Sequence, residues 1–182
     1  MKTLFIDTHY MDIIIALLDN ETIISKKEVI NKKNNSEFIF PTIIDVIKDE
    51  KIDSIVVVNG PGSFTGVRLG VTIAKTMAYT MNLELKVIDS LKVTAISSGI
   101  LNIALSDGNG YYIGKFDNNY NALEDYYYIN EKDSTDLSSF KTDYEIDIEK
   151  VVSYLKNEDS INPHLAKPVY VKKIGVEIDK SS

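Results

Sequence analysis

The sequence of 182 residues contains no cysteine and only two histidines, His9 and His164. The missing cysteines exclude disulfides, thiolate metal ligands and cysteine nucleophiles. A paired-histidine metal site needs two imidazoles that converge, typically four residues apart on one helix. His9 follows the first apolar run and His164 lies in a proline-bounded loop, so we expect no metal and predict that both histidines are surface residues. The cysteine-free composition fits a reducing, cytoplasmic compartment.

Basic clusters and long apolar runs are also missing. The formal net charge is −7, and the lysine pairs are scattered along the chain, as at Lys26-Lys27 and Lys172-Lys173. Neutralising the phosphates of a nucleic acid requires clustered Lys and Arg, so this chain is a poor candidate for holding RNA or DNA on its own. No stretch approaches the roughly 18 uninterrupted apolar residues of a membrane-spanning helix. We therefore expect no membrane segment.

The order of apolar runs in the first half predicts an α/β fold. Runs at 2–7, 12–18 and 22–30 predict three strands. Apolar residues at helical spacing predict a helix from about Asn35 to Asp49, and Pro41 should kink it or delay its first regular turn. The further predicted elements are a buried parallel strand at 54–60, a helix that ends near Asn82, a strand at 86–89 and a helix at 90–99 with Ser90 as its N-cap.

The second half has a different pattern. Three short strands at 101–107, 110–117 and 123–129 predict an antiparallel meander, with a turn at Asn109-Gly110. A polar loop at 130–145, a helix at 147–157 and a last strand at 167–174 are predicted to follow. The change of pattern near Gly99 predicts two lobes, residues 1–99 and residues 100–182.

The stretch NGPGSFTGVRLG, residues 59–70, has the strand, glycine loop and helix order of a phosphate-binding loop. A Walker A loop requires Gly-Lys-Ser/Thr, but Gly66 is followed by Val67. A dinucleotide fingerprint requires a third glycine at position 65, which is threonine. Both phosphate templates fail, and the stretch is better explained as a tight turn between a strand and a helix that Ser63 or Thr65 caps.

Small residues recur every four positions in the helix after this turn, at Gly66, Gly70, Ala74 and Ala78. On an α-helix this spacing forms a continuous low ridge, which a second helix can approach closely. A glycine inside a helix costs about 1 kcal/mol relative to alanine, and close packing is the natural compensation. The packing partner is either the 35–49 helix of the same chain or a helix of another protein, and both alternatives remain open at this point.

The segment GPGSFTGVRLG followed by AKTMA resembles the signature of the TsaB (YeaZ) family. The segments LFIDT, NNSEFIFP, IDSLKVTA and PVYVKK also resemble parts of that family, and the resemblance is closest over residues 1–99. It implies an actin-like, heat-shock-ATPase-like fold of two ribonuclease-H-like lobes, the second of them shortened here. It also implies a cytoplasmic bacterial protein without metal or cofactor of its own.

The resemblance further implies a function. The family supplies a non-catalytic scaffold and activator that pairs with its catalytic paralogue, TsaD, helped by a TsaE-like ATPase. Together they install N6-threonylcarbamoyladenosine next to the anticodon of tRNA, which would be bound only through the complex. In keeping with a non-catalytic role, the His-x-x-x-His pattern of TsaD is replaced here by DSLKV at 89–93. One departure from the family is Asn35, where many members have histidine.

The glycine stretch is, on this reading, a docking device for the partner. Two paralogues that meet through matching helix pairs would form a pseudo-symmetric four-helix contact, and the same face could form a homodimer when the partner is absent. The residues predicted to bind the partner are Gly62, Ser63, Phe64, Gly66, Arg68, Gly70, Ala74 and Ala78.

The alternative is an actin-like nucleotide-binding phosphotransferase or ATPase. Asp7 after the first strand and Asp107 in SDGNG stand where two phosphate hairpins would each carry a carboxylate. Against this, DTHY lacks the glycine that lets a backbone approach a phosphate, and DGNG is equally a plain hairpin turn.

Overall fold

A computed structural model of the protein describes residues 1–10, 12–30, 36–131 and 135–172. The first of its two sheets has five strands in the order β3-β2-β1-β4-β5. Among the first three strands, β2 runs antiparallel to both β1 and β3, and β4 and β5 continue the sheet parallel to β1. The strands are β1 (Lys2–Asp7), β2 (Ile13–Asp19), β3 (Thr22–Val29), β4 (Ser54–Val58) and β5 (Glu84–Ile88).

Four α-helices cover this sheet in two layers. On one face, α1 (Ser36–Ile47) and α2 (Phe64–Met81) bury apolar residues of the strands, among them Leu4, Ile15 and Ile55. On the other face, α3 (Ser90–Ser98) and α4 (Ile148–Leu155) pack against Phe5, Val56 and Val58. Because β4 is covered on both faces, all five of its residues are buried, as its uninterrupted apolar run predicts.

The second sheet is a three-stranded antiparallel meander in the order β6-β7-β8. Its strands are β6 (Asn102–Ser106), β7 (Gly110–Lys115) and β8 (Tyr127–Asn130). Leu91 and Ala95 of α3 pack against this sheet, while Val93 and Ile96 of the same helix pack against the first. The two sheets therefore share α3, and the division of the chain at Gly99 remains a prediction.

A strap without α-helix or strand, residues 159–171, crosses the β5 side of the first sheet. Backbone hydrogen bonds join Ile161 to Leu85 and Val169 to Asn59. A single 3₁₀ turn, Pro163–Leu165, interrupts the strap and packs on α2. The predicted strand at 167–174 is wrong for residues 167–172, since the strap makes isolated hydrogen bonds and no ladder. Residues 173 and 174 lie outside the described residues.

Most predicted elements are confirmed, and the differences have local causes. The N-cap of α3 is Asp89, whose side chain accepts a hydrogen bond from the backbone N–H of Lys92, so the assignment of Ser90 as N-cap is wrong by one residue. The helix predicted from Asn35 begins at Ser36 among the described residues, and Asn35 lies outside them. Pro41 falls inside α1, in the middle of the helix.

Candidate partner-binding surface

The glycine stretch forms a tight turn between β4 and α2. Gly60 has φ of 91°, a backbone conformation that favours glycine. Ser63 then caps α2, because its side-chain oxygen accepts a hydrogen bond from the backbone N–H of Gly66 at 3.3 Å. The side chain of Ser90 donates a 2.7 Å hydrogen bond to the carbonyl of Pro61, which joins the turn to the start of α3. The prediction of a capped strand-to-helix turn is confirmed.

The first part of the small-residue ridge faces into the chain. A Cβ atom at Gly66 would lie closer than 3.0 Å to the carbonyl oxygen of Thr8, and one at Gly70 would lie equally close to the Thr8 hydroxyl. The Thr8 hydroxyl donates a 2.7 Å hydrogen bond to the carbonyl of Gly66. A Cβ atom at Gly62 would likewise lie closer than 3.0 Å to the carbonyl oxygen of His9. The segment after β1 therefore occupies the groove that these glycines create.

The prediction that this ridge is an exposed docking surface is wrong. Gly70, Ala74 and Ala78 are buried within the chain. Ala74 and Ala78 belong to the apolar core between α2 and the sheet. A spacing of four shows that small residues share one side of a helix, but it does not show what covers that side. The space beside the glycines is filled by Thr8 and His9, and not by the predicted 35–49 helix.

The outward side of the two helices carries different residues. Phe40 and Ile44 on α1 are 53% and 48% exposed, one turn apart on the same side of that helix. On α2, Arg68, Thr72 and Thr76 are exposed. Phe40 and Ile44 are among the apolar residues whose helical spacing predicts this helix. The signal that distinguishes them is the width of the apolar pattern in α1, where Phe38, Ile39, Phe40, Ile43, Ile44, Val46 and Ile47 exceed what one buried stripe needs.

Three of the predicted partner-binding residues, Ser63, Phe64 and Arg68, are exposed at the beginning of α2. The guanidinium carbon of Arg68 lies 3.7 Å from the centroid of the Phe64 ring. The Nε–H of Arg68 donates a 2.6 Å hydrogen bond to the hydroxyl of Tyr170 in the strap. The side chains of Phe64, Arg68 and Tyr170 thus form one cluster, which we call the arginine cluster.

Asp7 is fully enclosed at the end of β1. The Nδ1 atom of His9 lies 2.6 Å from one carboxylate oxygen, and the hydroxyl of Tyr144 donates a 2.6 Å hydrogen bond to the other. Burial raises the pKa of Asp7, but His9 and Tyr144 outweigh burial and hold this pKa below its usual range. His9 is 2% exposed, so its predicted surface position is wrong. Burial and the Asp7 charge raise the pKa of Tyr144 well above its usual value.

Asp107 is also bonded within the chain. The hydroxyl of Tyr128 donates a 2.7 Å hydrogen bond to one of its oxygens, and the ammonium group of Lys172 lies 3.2 Å from the other. Burial raises the pKa of Asp107, and these partners together with the backbone N–H of Asn109 lower it by more. A cavity of about 480 Å³ separates the turn at Asp107 from the start of α2.

Both carboxylates of the phosphotransferase alternative thus have partners from the second half of the chain. Within the parts of the chain that the structure describes, no group of three or more His, Cys, Asp or Glu residues could hold a metal ion. Over the same residues, no helix is both long and apolar enough to cross a membrane.

Comparisons with known proteins agree with the resemblance of the glycine stretch. The family model of TsaD, tRNA N6-adenosine threonylcarbamoyltransferase, matches residues 29–111. The tRNA threonylcarbamoyladenosine biosynthesis protein TsaB of Bacillus subtilis (strain 168) is 38% identical over 100 residues. That alignment covers 52% of this chain and 44% of TsaB, so the chain matches less than half the length of this curated relative.

Two solved structures share the fold. The structure of YeaZ from Pseudomonas aeruginosa has a TM-score of 0.70 at 15% identity and covers 93% of this chain and 99% of that chain. A protein described as similar to the peptidase YEAZ from Pseudomonas aeruginosa has a TM-score of 0.73 at 14% identity, covering 94% and 99%. With a TsaB relative at 38% identity over about half of the chain and the YeaZ fold over nearly its whole length, the chain is similar to proteins of the TsaB/YeaZ family.

Proposed function

We propose that this protein is a non-catalytic scaffold and activator subunit that pairs with a TsaD-like paralogue. The pair would install N6-threonylcarbamoyladenosine next to the anticodon of tRNA. The observation that carries the proposal is the 38% identity to a protein named for the biosynthesis of this modified nucleoside. The match of residues 29–111 to the TsaD family model supports a paralogous relationship between the two subunits.

The hydrogen bonds that hold Asp7 and Asp107 inside the protein support a non-catalytic role. Asp7 has two side-chain partners inside the protein and is 2% exposed. Asp107 is held by Tyr128 and Lys172. A phosphotransferase would need these carboxylates to face a metal-bound nucleotide, and each would first have to lose its present hydrogen bonds. The phosphotransferase alternative is therefore disfavoured.

The outward side of α1 and α2 is the surface that we propose for the partner. Phe40 and Ile44 supply exposed apolar area on α1, and the arginine cluster begins the neighbouring α2. Interfaces between proteins combine buried apolar and aromatic residues with arginine. Two paralogues that meet through corresponding helix pairs would form a four-helix contact, and the same surface would form a homodimer in the absence of the partner.

The tRNA would be bound by the complex and not by this subunit. The net charge of −7 opposes binding to a polyanion, and the lysines are scattered along the sequence. We propose a TsaE-like ATPase as a third component.

Reconstitution of the modification tests the proposal. Unmodified tRNA is incubated with threonylcarbamoyl adenylate, the TsaD-like paralogue and the TsaE-like ATPase, with and without this protein. We expect modified nucleoside only when this protein is present together with the paralogue. A paralogue that is equally active alone would contradict the role of activator. Modification by this protein alone would contradict its non-catalytic role.

A further inference from the structure

Arg68 is the only arginine of the sequence, and all other basic side chains apart from the two histidines are lysines. It lies on the exposed side of α2, one turn after Phe64. Lysine suffices wherever a chain needs a flexible positive charge, whereas arginine offers a planar fork of donors that matches a carboxylate or phosphate with two parallel hydrogen bonds. A single arginine among lysines therefore indicates a position where the shape of the cation matters.

The side chain of Arg68 is already held in place in the free protein. The Phe64 ring lies against its guanidinium at 3.7 Å, and the Tyr170 hydroxyl accepts from its Nε–H at 2.6 Å. A long side chain that is fixed before binding loses less conformational freedom when it binds, so fixing it in advance strengthens the complex. The cluster has the form of a preorganised anchor.

The outer end of the guanidinium has donors to spare. An arginine carries five N–H groups, and the hydrogen bond to Tyr170 uses the one at Nε. Among residues 1–10, 12–30, 36–131 and 135–172, no carboxylate lies within 4.0 Å of Arg68. The two terminal nitrogens can therefore bind a group from outside these parts of the chain.

We infer that Arg68 is a docking anchor that binds an Asp or Glu side chain of the protein partner through its two terminal nitrogens, and that Phe64 and Tyr170 hold it in position. The inference rests on the proposed function, because the partner is the TsaD-like paralogue. A carboxylate is favoured over an RNA phosphate because the net charge of −7 would repel RNA, and a lone cation makes few phosphate contacts.

The competing explanation is that Arg68 only ties the strap to α2. Lys75 supplies a matched control, because its ammonium group donates to the strap carbonyl of Ala166 at 3.4 Å from the same helix. If tying the strap were the whole role, Arg68→Lys and Lys75→Gln would have similar, small effects on partner binding. If Arg68 is the anchor, only its own substitution weakens the complex.

The experiment measures the dissociation constant for the TsaD-like paralogue by isothermal titration calorimetry, using the full-length protein. Arg68→Lys keeps the charge and removes the planar fork, and we expect binding to weaken at least about tenfold, the range of an interface hot spot. Tyr170→Phe removes the hydroxyl that orients Arg68, and we expect a weakening of about threefold. We expect Lys75→Gln to bind within about twofold of wild type. Melting temperatures of the isolated variants show that each is folded.

Each remaining outcome has a defined meaning. If the wild type binds the paralogue and Arg68→Lys binds equally well, the anchor assignment is wrong while the proposed function stands. If Arg68→Lys leaves the heterodimer unchanged but weakens tRNA binding by the assembled complex, the ligand is a phosphate and the carboxylate assignment is overturned. If the wild type does not bind the paralogue, the proposed function and this inference both fall.

Discussion

The two sides of α2 carry different residues and have different surroundings. On the inner side, the glycines have no side chains, so Thr8 and His9 can lie against the backbone of the helix and of the turn before it. On the outer side, Phe64, Arg68 and Thr72 are exposed. The motif that resembles the family signature thus contains some residues that pack inside the chain and others that lie on its surface. A conspicuous run of glycines can therefore serve the interior of a protein while less conspicuous neighbours lie on its surface.

The largest effect is expected from filling the inner groove. At Gly70→Leu, the new side chain would begin closer than 3.0 Å to the Thr8 hydroxyl, so the helix must move away from the segment after β1. We expect the free energy of unfolding to fall by about 3 kcal/mol, the upper part of the range for overpacked sites. Thr72→Leu on the outer side is the control, with an expected change within about 0.5 kcal/mol. Urea denaturation of both variants checks this, and equal stability of the two would refute the inward orientation of the ridge.

A smaller loss of stability is expected from removing one hydrogen bond to Asp7. Tyr144→Phe keeps the ring and deletes the hydroxyl that donates to the buried carboxylate. Hydrogen bonds to charged groups contribute about 1.5–3 kcal/mol, so we expect a loss in that range at neutral pH. If urea denaturation gives the variant the same free energy of unfolding as the wild type, water replaces the hydroxyl without loss of stability.

The wild type and the Tyr144→Phe variant also test the direction in which the fold shifts the pKa of Asp7. Because the folded state lowers this pKa, the stabilisation from Asp7 is present above the pKa of the unfolded chain, about 4, and is lost as the pH falls through the folded value. Without the Tyr144 hydroxyl the folded pKa should be less depressed. We therefore expect the acid loss of stability to begin near the same pH in both proteins, but to be smaller and to level off at a higher pH in Tyr144→Phe than in the wild type, as followed by urea unfolding between about pH 2 and 7. Superimposable pH profiles would contradict the assigned network.

The sequence predicted the first sheet well because its signals are local. The run at 54–58 lacks the alternation of polar and apolar residues that a half-exposed strand shows, which indicates a strand buried on both faces. Ser63 directly precedes α2, at the position of the N-cap. The Asp7 network could not be predicted in this way, because Tyr144 is 137 positions away from Asp7 along the chain. The strand predicted at 167–174 fails for a related reason, because apolar residues at a strand-like spacing do not reveal that a segment lacks a neighbouring strand.

The smallest effect is expected at Asp107. Asp107→Asn keeps the shape of the side chain and retains an acceptor for Tyr128. If this carboxylate has no part in catalysis, activation of the reconstituted tRNA modification should stay within a few-fold of wild type. A loss of about a thousandfold in a folded variant, the scale of a missing transition-state contact, would instead support the phosphotransferase alternative.

The mass of the complex with the TsaD-like paralogue, measured by analytical ultracentrifugation, tests the proposed docking surface. Wild type, Ile44→Asp and Leu123→Asp are each mixed with the paralogue. The two substitutions place the same charge at exposed apolar positions, Ile44 on α1 and Leu123 ahead of β8. The proposed docking surface predicts a heterodimer with wild type and Leu123→Asp, and separate subunits with a folded Ile44→Asp. A heterodimer of undiminished affinity with Ile44→Asp would contradict it.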